Sequence, residues 1–182
     1  MTYDFNEISA IAVDNRKYLY VVDKLPLDRI EFDSKQQLQL SEVIVRFDDR
    51  NNNLVYLGQQ GPGGTPFSRI HNIYTTDNNE LVVVCNTASG FIIHWFSSDG
   101  TLMFTVPVEN ENIPDPYSAE GGDSFISIEN IVPDYSKRRL YMKVDYYKSF
   151  IDDASRVQSG INFLSTKMHV FDIEEGRYIE SF

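Results

Sequence analysis

Apolar and polar positions alternate most regularly between residues 68 and 108, SRIHNIYTTDNNELVVVCNTASGFIIHWFSSDGTLMFTVPV. Four short apolar runs, at 70–76, 81–86, 91–96 and 102–106, are rich in β-branched and aromatic residues. The polar phrases DNNE, TASG and SSDG separate them. Such runs, punctuated by turns of a few polar residues, predict an antiparallel up-and-down sheet. The phrase recurs on both sides of itself. Upstream, ISAIAVDNRKYLYVVD (8–23) repeats the opening pair, and SEVIVRFD (41–48) and Leu54 to Leu57 supply the third and fourth runs. Downstream, SFISIENIVPDYSKRRLYMKVD (124–145), KMHVFD (167–172) and RYIESF (177–182) do the same.

Anchor residues line up across the copies. Asp14, Asp77 and Asp134 are expected to end the first strand, Leu19, Leu81 and Leu140 to begin the second, and Phe47, Phe96 and Phe171 to end the third. The aspartates lie 63 and 57 residues apart, more than the ~40–50 of a compact blade repeat, because loops are inserted. Repeated four-stranded sheets predict an all-β fold of β-propeller blades. The blades fall at about 5–58, 66–108 and 124–182, within one partial propeller spanning 1–182. A β-sandwich is the alternative, but it requires crossovers and has no internal period. Propellers typically have four to eight blades, so three blades imply half or a fragment of a roughly six-bladed ring. Either missing blades or a second copy would complete it. Helical periodicity is almost absent; the best candidate is 149–164, worth two turns at most before Gly160.

Composition narrows the function. The chain carries a formal net charge of −11, which argues against nucleic acid and anionic membrane surfaces as partners. Its one basic cluster, Lys137-Arg138-Arg139, falls in a predicted turn. No apolar run is long enough for a transmembrane segment. The lone Cys85 lies in a run that looks buried on both faces, where it is expected to act as a small core hydrophobe. The 12 Phe and 11 Tyr provide for a sizeable core.

Every long insertion falls in a connection between strands two and three or between blades: 24–40, 58–69, 109–123 and 147–166. The other turns are short. Long loops on one end of a rigid scaffold are the usual place for recognition. The stretch GQQGPGGTPFSR (58–69) lacks the GK[ST] of a phosphate loop and predicts a crossover in which Pro66 and Phe67 pin the next strand.

With WFSSDGTLMF, the glycine-rich stretch resembles NHL-type β-propeller repeats and, more closely, the propeller lipoproteins of spirochaetes. NHL repeats open a blade with G-x-G-x-G-P-G-x-F-x-x-P. GPGGTPF (61–67), IAVD (11–14), LYVVD (19–23) and VIVRFD (43–48) echo that family's phrases. The resemblance covers nearly the whole chain. It departs in its long insertions and in a third blade without the glycine-rich opening. It implies an extracytoplasmic home, in the periplasm or at the cell surface, with a lipid anchor in a longer precursor, and a binding role without carried-over catalytic residues.

Candidate chemistry is sparse. His94 and His169 hold equivalent third-strand positions, which marks them as repeat positions. His71 begins an innermost strand near the expected channel. With Asn72, Glu129 and Asn130 it forms the candidate site of an alternative function, a calcium-assisted hydrolase using oxygen ligands for Ca²⁺ at the channel mouth. The leading expectation is a noncatalytic domain with no cofactor, binding a protein or glycan through the long-loop face. Tyr117, Tyr146, Tyr147 and Phe150 would be the aromatic contacts.

Overall fold

The computed structural model of the chain describes residues 3–35, 37–48, 54–117, 124–134, 136–151 and 158–182. It is all-β, built of several antiparallel sheets, none of them closed. It divides into two compact units, Met1–Val108 and Glu109–Phe182.

The first unit begins with β1 (Ile8–Val13) and β2 (Leu19–Lys24). A 3-10 turn (Leu27–Arg29) follows, then a separate small hairpin, β3 (Glu31–Asp33) and β4 (Leu38–Leu40). The first sheet resumes with β5 (Glu42–Phe47), β6 (Leu54–Gly58) and the two-residue β7 (Gly61–Pro62), in the order β1-β2-β5-β6-β7. Next comes a four-stranded meander of β8 (Ile70–Thr75), β9 (Leu81–Asn86), β10 (Gly90–Phe96) and β11 (Leu102–Glu109). The second unit holds a third meander, β12 (Ser124–Asp134), β13 (Arg139–Ile151), β14 (Gln158–Asp172) and β15 (Tyr178–Ser181).

Register shows that the three sheets repeat one another residue by residue. Leu19 pairs with Phe47, Leu81 with Phe96 and Leu140 with Phe171. Each first strand also carries a bulge at the same place, at Ser9, His71 and Glu129, four residues before the residue that pairs with Leu19, Leu81 or Leu140. Bulges re-aim the strand and strengthen its twist. Their repetition makes them a property of the unit.

One anchor moves. Val13 pairs with Leu19 and Thr75 with Leu81, so Thr76, not Asp77, stands where Asp14 does. The reason is a shared turn. Asp14 Oδ1 accepts the N–H groups of Arg16 and Tyr18, both at 2.9 Å. Thr76 Oγ1 accepts those of Asn78 and Glu80 at 3.0 and 3.2 Å. Lys17 and Asn79 then take φ of 67° and 61°. This is the three-residue hairpin loop ending in a left-handed residue, and a short side-chain oxygen from either residue type can cap it. Gly100 holds the left-handed position in the matching turn after β10, where the Ser97 N–H donates to Thr101 O.

A core cluster joins the two sheets of the first unit. Tyr20, Val22, Ile44 and Leu57 come from one sheet and Ile73, Leu81, Val83, Cys85 and Phe96 from the other, with Phe67 among them. Burying each large side chain stabilises by ~1.5–3 kcal/mol. Phe67 is wholly buried because its backbone is fastened to Glu42 in both directions: Glu42 N–H to Phe67 O at 3.1 Å and Phe67 N–H to Glu42 O at 2.7 Å. The expected crossover at 58–69 is therefore a fastened entry to β8. Gly58 is required within it, since a Cβ there would stand 2.3 Å from Gly64 O.

The outer face of the first sheet carries Val43, Val45, Phe47 and Leu54, with Tyr3 and Phe5 packed over them. Asp23, 2% exposed, holds that N-terminal segment. It accepts the Tyr3 hydroxyl at 2.7 Å and the N–H groups of Asn6 and Glu7 at 3.0 and 2.9 Å.

In the second unit the expected insertion at 147–166 is largely strand. Tyr147 pairs with Phe163, Ser149 with Ile161 and Ile151 with Gln158, and 152–157 lie outside the described residues. The helical candidate at 149–164 is overturned at 149–151 and 158–164, which are strand, while its middle lies outside the described residues. Two turns are too few to hold a helix alone, whereas continued pairing of β13 with β14 supplies the backbone bonds at once.

Candidate functional site

The connections at one end of the first unit converge. Residues 24–41 leave β2, 58–70 join the two sheets, and 86–90 link β9 to β10. Side chains from all three line a cleft of about 520 Å³. Its walls include Lys24, Gln37, Gln39, Glu42, Arg69 and Asn86. Glu42, 2% exposed, accepts the Ile70 N–H at 2.5 Å. Burial pushes its carboxyl above the usual range, against the pull of that hydrogen bond and of the nearby Lys24 and Arg69 charges. Asn86 donates its backbone N–H to Arg69 O at 2.8 Å, and Asn86 O accepts the Ser68 hydroxyl at 2.8 Å. Its side-chain Oδ1 is buried without a hydrogen-bond partner. Lys24 pairs with Glu7, while Arg69 is exposed. A second cleft, of about 580 Å³, lies by the 3-10 turn and is lined by Leu25, Asp28, Arg29, Tyr56, Gly64 and Pro66.

The residues expected at the channel mouth have local partners. His71, half-buried, meets Phe91 edge-to-face at 5.7 Å. Asn72 Nδ2 donates to the Tyr74 hydroxyl at 3.1 Å. Glu129 is the bulge residue of β12, and Asn130 beside it is exposed. Asn72 and Asn130 are equivalent in register. Among the described residues no group of three His, Cys, Asp or Glu side chains converges as a metal site.

Of the expected aromatic contacts, Tyr117 and Tyr146 are brought together. Their rings meet at 5.7 Å, and the Tyr117 hydroxyl bonds to Ser165 Oγ at 2.8 Å. Tyr146 is wholly buried, so it braces the sheet and presents no surface. Its hydroxyl donates to Pro114 O. His169 Nε2, 2.6 Å away, must then carry the ring proton and donate to the Tyr146 oxygen, leaving Nδ1 buried and unpartnered. Burial lowers the His169 pKa, and burial with the Asp115 charge pushes Tyr146 up to about 12. Both groups are therefore neutral near pH 7. Phe150 pairs with Gly160 through its backbone.

Tyr147 belongs to a cross-strand row, Phe125–Tyr147–Phe163, with Ile161 two residues beyond. Phe163 and Ile161 are 56% and 58% exposed. The sequence reading missed these two, although their spacing of two was visible in the strand-like INF.

No protein-family model matches the chain, and no curated protein matches it. Among the described residues no helix is long and apolar enough to cross a membrane.

Proposed function

We propose that the three meanders are blades of an NHL-type β-propeller, about half of a six-bladed ring, and that the chain is a noncatalytic binding domain of the cell envelope. The blade reading is supported by the register and bulge that the three successive sheets share and by the three-residue turn common to the first two. The binding reading is carried by the convergence of residues 24–41, 58–70 and 86–90 on one cleft, while the described turns at the opposite end of the same sheets are three residues long. Concave sites with a few convergent polar groups on a rigid scaffold are the usual form of a ligand site. The row of half-buried Tyr147 with exposed Phe163 and Ile161 is a second contact, suited to a protein surface.

Replacing the β3–β4 hairpin (31–40) by a short Gly-Ser turn tests the reading. Envelope proteins and cell-wall glycans retained by the parent domain should be lost, with the thermal midpoint within a few degrees of the parent. If retention is unchanged by this replacement and abolished instead by substitutions at Asn15 and Asp77 in the short turns, the binding end is the other one.

A further inference from the structure

We propose that the cleft lined by Glu42, Asn86 and Arg69 binds a small zwitterion, an ammonium and a carboxylate carried on one molecule, as in a free amino acid or a short peptide. The inference rests on the binding-domain reading above and names the ligand class of the same cleft.

Asn86 Oδ1 is a buried acceptor with no donor, and an unpaired buried acceptor is costly. Glu42 is also buried and spends one oxygen on the Ile70 N–H. Burial destabilises its charged form. Asn86 Oδ1 calls for an N–H donor and the Glu42 carboxylate for a positively charged one, and an ammonium offers three donors with a charge. Lys24 and Arg69 act on Glu42 through their charges, but among the described residues neither hydrogen-bonds it, and Lys24 is paired with Glu7. At the rim the demand is opposite. Arg69 is exposed and, among the described residues, has no ion-pair partner. Its guanidinium has the fork geometry that takes a carboxylate in two parallel bonds.

Charge excludes the simpler ligands. A plain anion approaches a chain of net charge −11 against its field. A plain cation meets the Lys24 and Arg69 charges among the lining residues. A molecule with both charges satisfies floor and rim together. Gln37, Gln39 and Ser41 add neutral polar contacts, and the absence of any aromatic side chain among the described lining residues removes the stacking platform that sugar rings favour. The volume, about 520 Å³, falls within the range of small-ligand sites.

The test is amide NMR of the whole domain titrated with L-serine, L-leucine and glycylglycine, alongside N-acetyl-L-leucine, L-leucinamide and glucose. The expected result is saturable shifts at Arg69, Asn86 and Thr87 with the zwitterions, weakened about tenfold or more when either the amine or the carboxylate is blocked. Leucine against glycylglycine distinguishes a free amino acid from a peptide. Arg69→Ala and Asn86→Ala should each weaken binding about tenfold. Asn86→Ala should leave the unfolding midpoint unchanged or raised, because it deletes an acceptor that has no partner; a residue serving only to hold the fold would lower it. Equal binding of N-acetyl-leucine and leucine overturns the zwitterion. Glucose binding at the same amides without amino-acid binding overturns it too, while leaving the binding-domain reading in place. No shift at these amides with any probe likewise overturns it, and the hairpin replacement then decides the broader reading separately.

Discussion

His94 illustrates how burial alone sets a side chain's behaviour. It is 4% exposed, its ring packs in one cluster with Phe67 and Phe96, and Nδ1 has no partner. Burial pushes its pKa down to about 4, below the ~6.5 of an unfolded histidine. The unfolded chain therefore takes up the proton first as pH falls. The contribution is complete above pH ~6.5 and is lost on the way down to about 4, up to roughly 3 kcal/mol for this one site. Urea unfolding measured from pH 7 to 4.5 should show the midpoint falling, and His94→Phe should flatten the curve while keeping the aromatic cluster. A variant as pH-sensitive as the parent would contradict this assignment. Asp14 makes the complementary case. It is 5% exposed and also holds the Arg16 guanidinium, at 2.8 and 3.1 Å. Asp14→Ala strands two backbone donors and a cation, and should cost about 2–3 kcal/mol by denaturant titration at pH 7.

At the scale of elements, turns and close approaches govern tolerance. Lys17 and Arg138 occupy left-handed backbone at φ of 67° and 56°, a conformation that costs a residue with a Cβ about 1 kcal/mol or more. Lys17→Gly should therefore raise stability by up to about 1 kcal/mol, read as a higher thermal midpoint, whereas Asn79→Gly gains less because asparagine tolerates that region. Gly58 behaves in the opposite way. Its missing Cβ makes room for the carbonyls of Gly64 and Thr65, both backbone and unable to swing aside. Gly58→Ala should cost ~3 kcal/mol, and a stable, unshifted Gly58→Ala domain would refute the tight approach of the crossover.

At the scale of the whole molecule, strand β1 presents apolar side chains to solvent. Ile8, Ile11 and Val13 are 53%, 65% and 55% exposed. By register Ile11 and Val13 share a face with Val21, Val45 and Tyr56. Tyr3 and Phe5 cover the β5–β6 half of that face and leave the β1 edge open. Under the half-ring proposal, light scattering at micromolar concentration should give twice the 21.0 kDa chain mass, with the double variant Ile11→Lys, Val13→Lys reverting to one chain. A single-chain mass for the parent would remove the second-copy route to ring closure. The interface should exceed the ~1,600 Å² of a standard complex, as closure through sheet faces buries core-like surface.

The main strands of the three sheets, the leucines and phenylalanines at their ends, the buried Cys85 and the role of Phe67 were legible in the residues, because a strand's two faces are a local property written at a spacing of two; the β3–β4 hairpin inside the expected loop at 24–40 was not. Thr76 was not, since capping depends on a side-chain oxygen rather than on an aspartate, and the run Thr-Asp offered two choices that only pairing with Leu81 resolved. The hairpin at 147–166 was hidden because Gly160 and the polar residues around it carry no strand signal of their own; β13 extends there because β14 lies alongside it. Tyr146 looked like a contact residue until packing turned it inward against His169 and Pro114. The cleft was least legible of all. Lys24, Glu42, Arg69 and Asn86 come from separate connections, and neither their convergence nor the orphaned oxygen of Asn86 exists until the two sheets of the first unit close around Phe67.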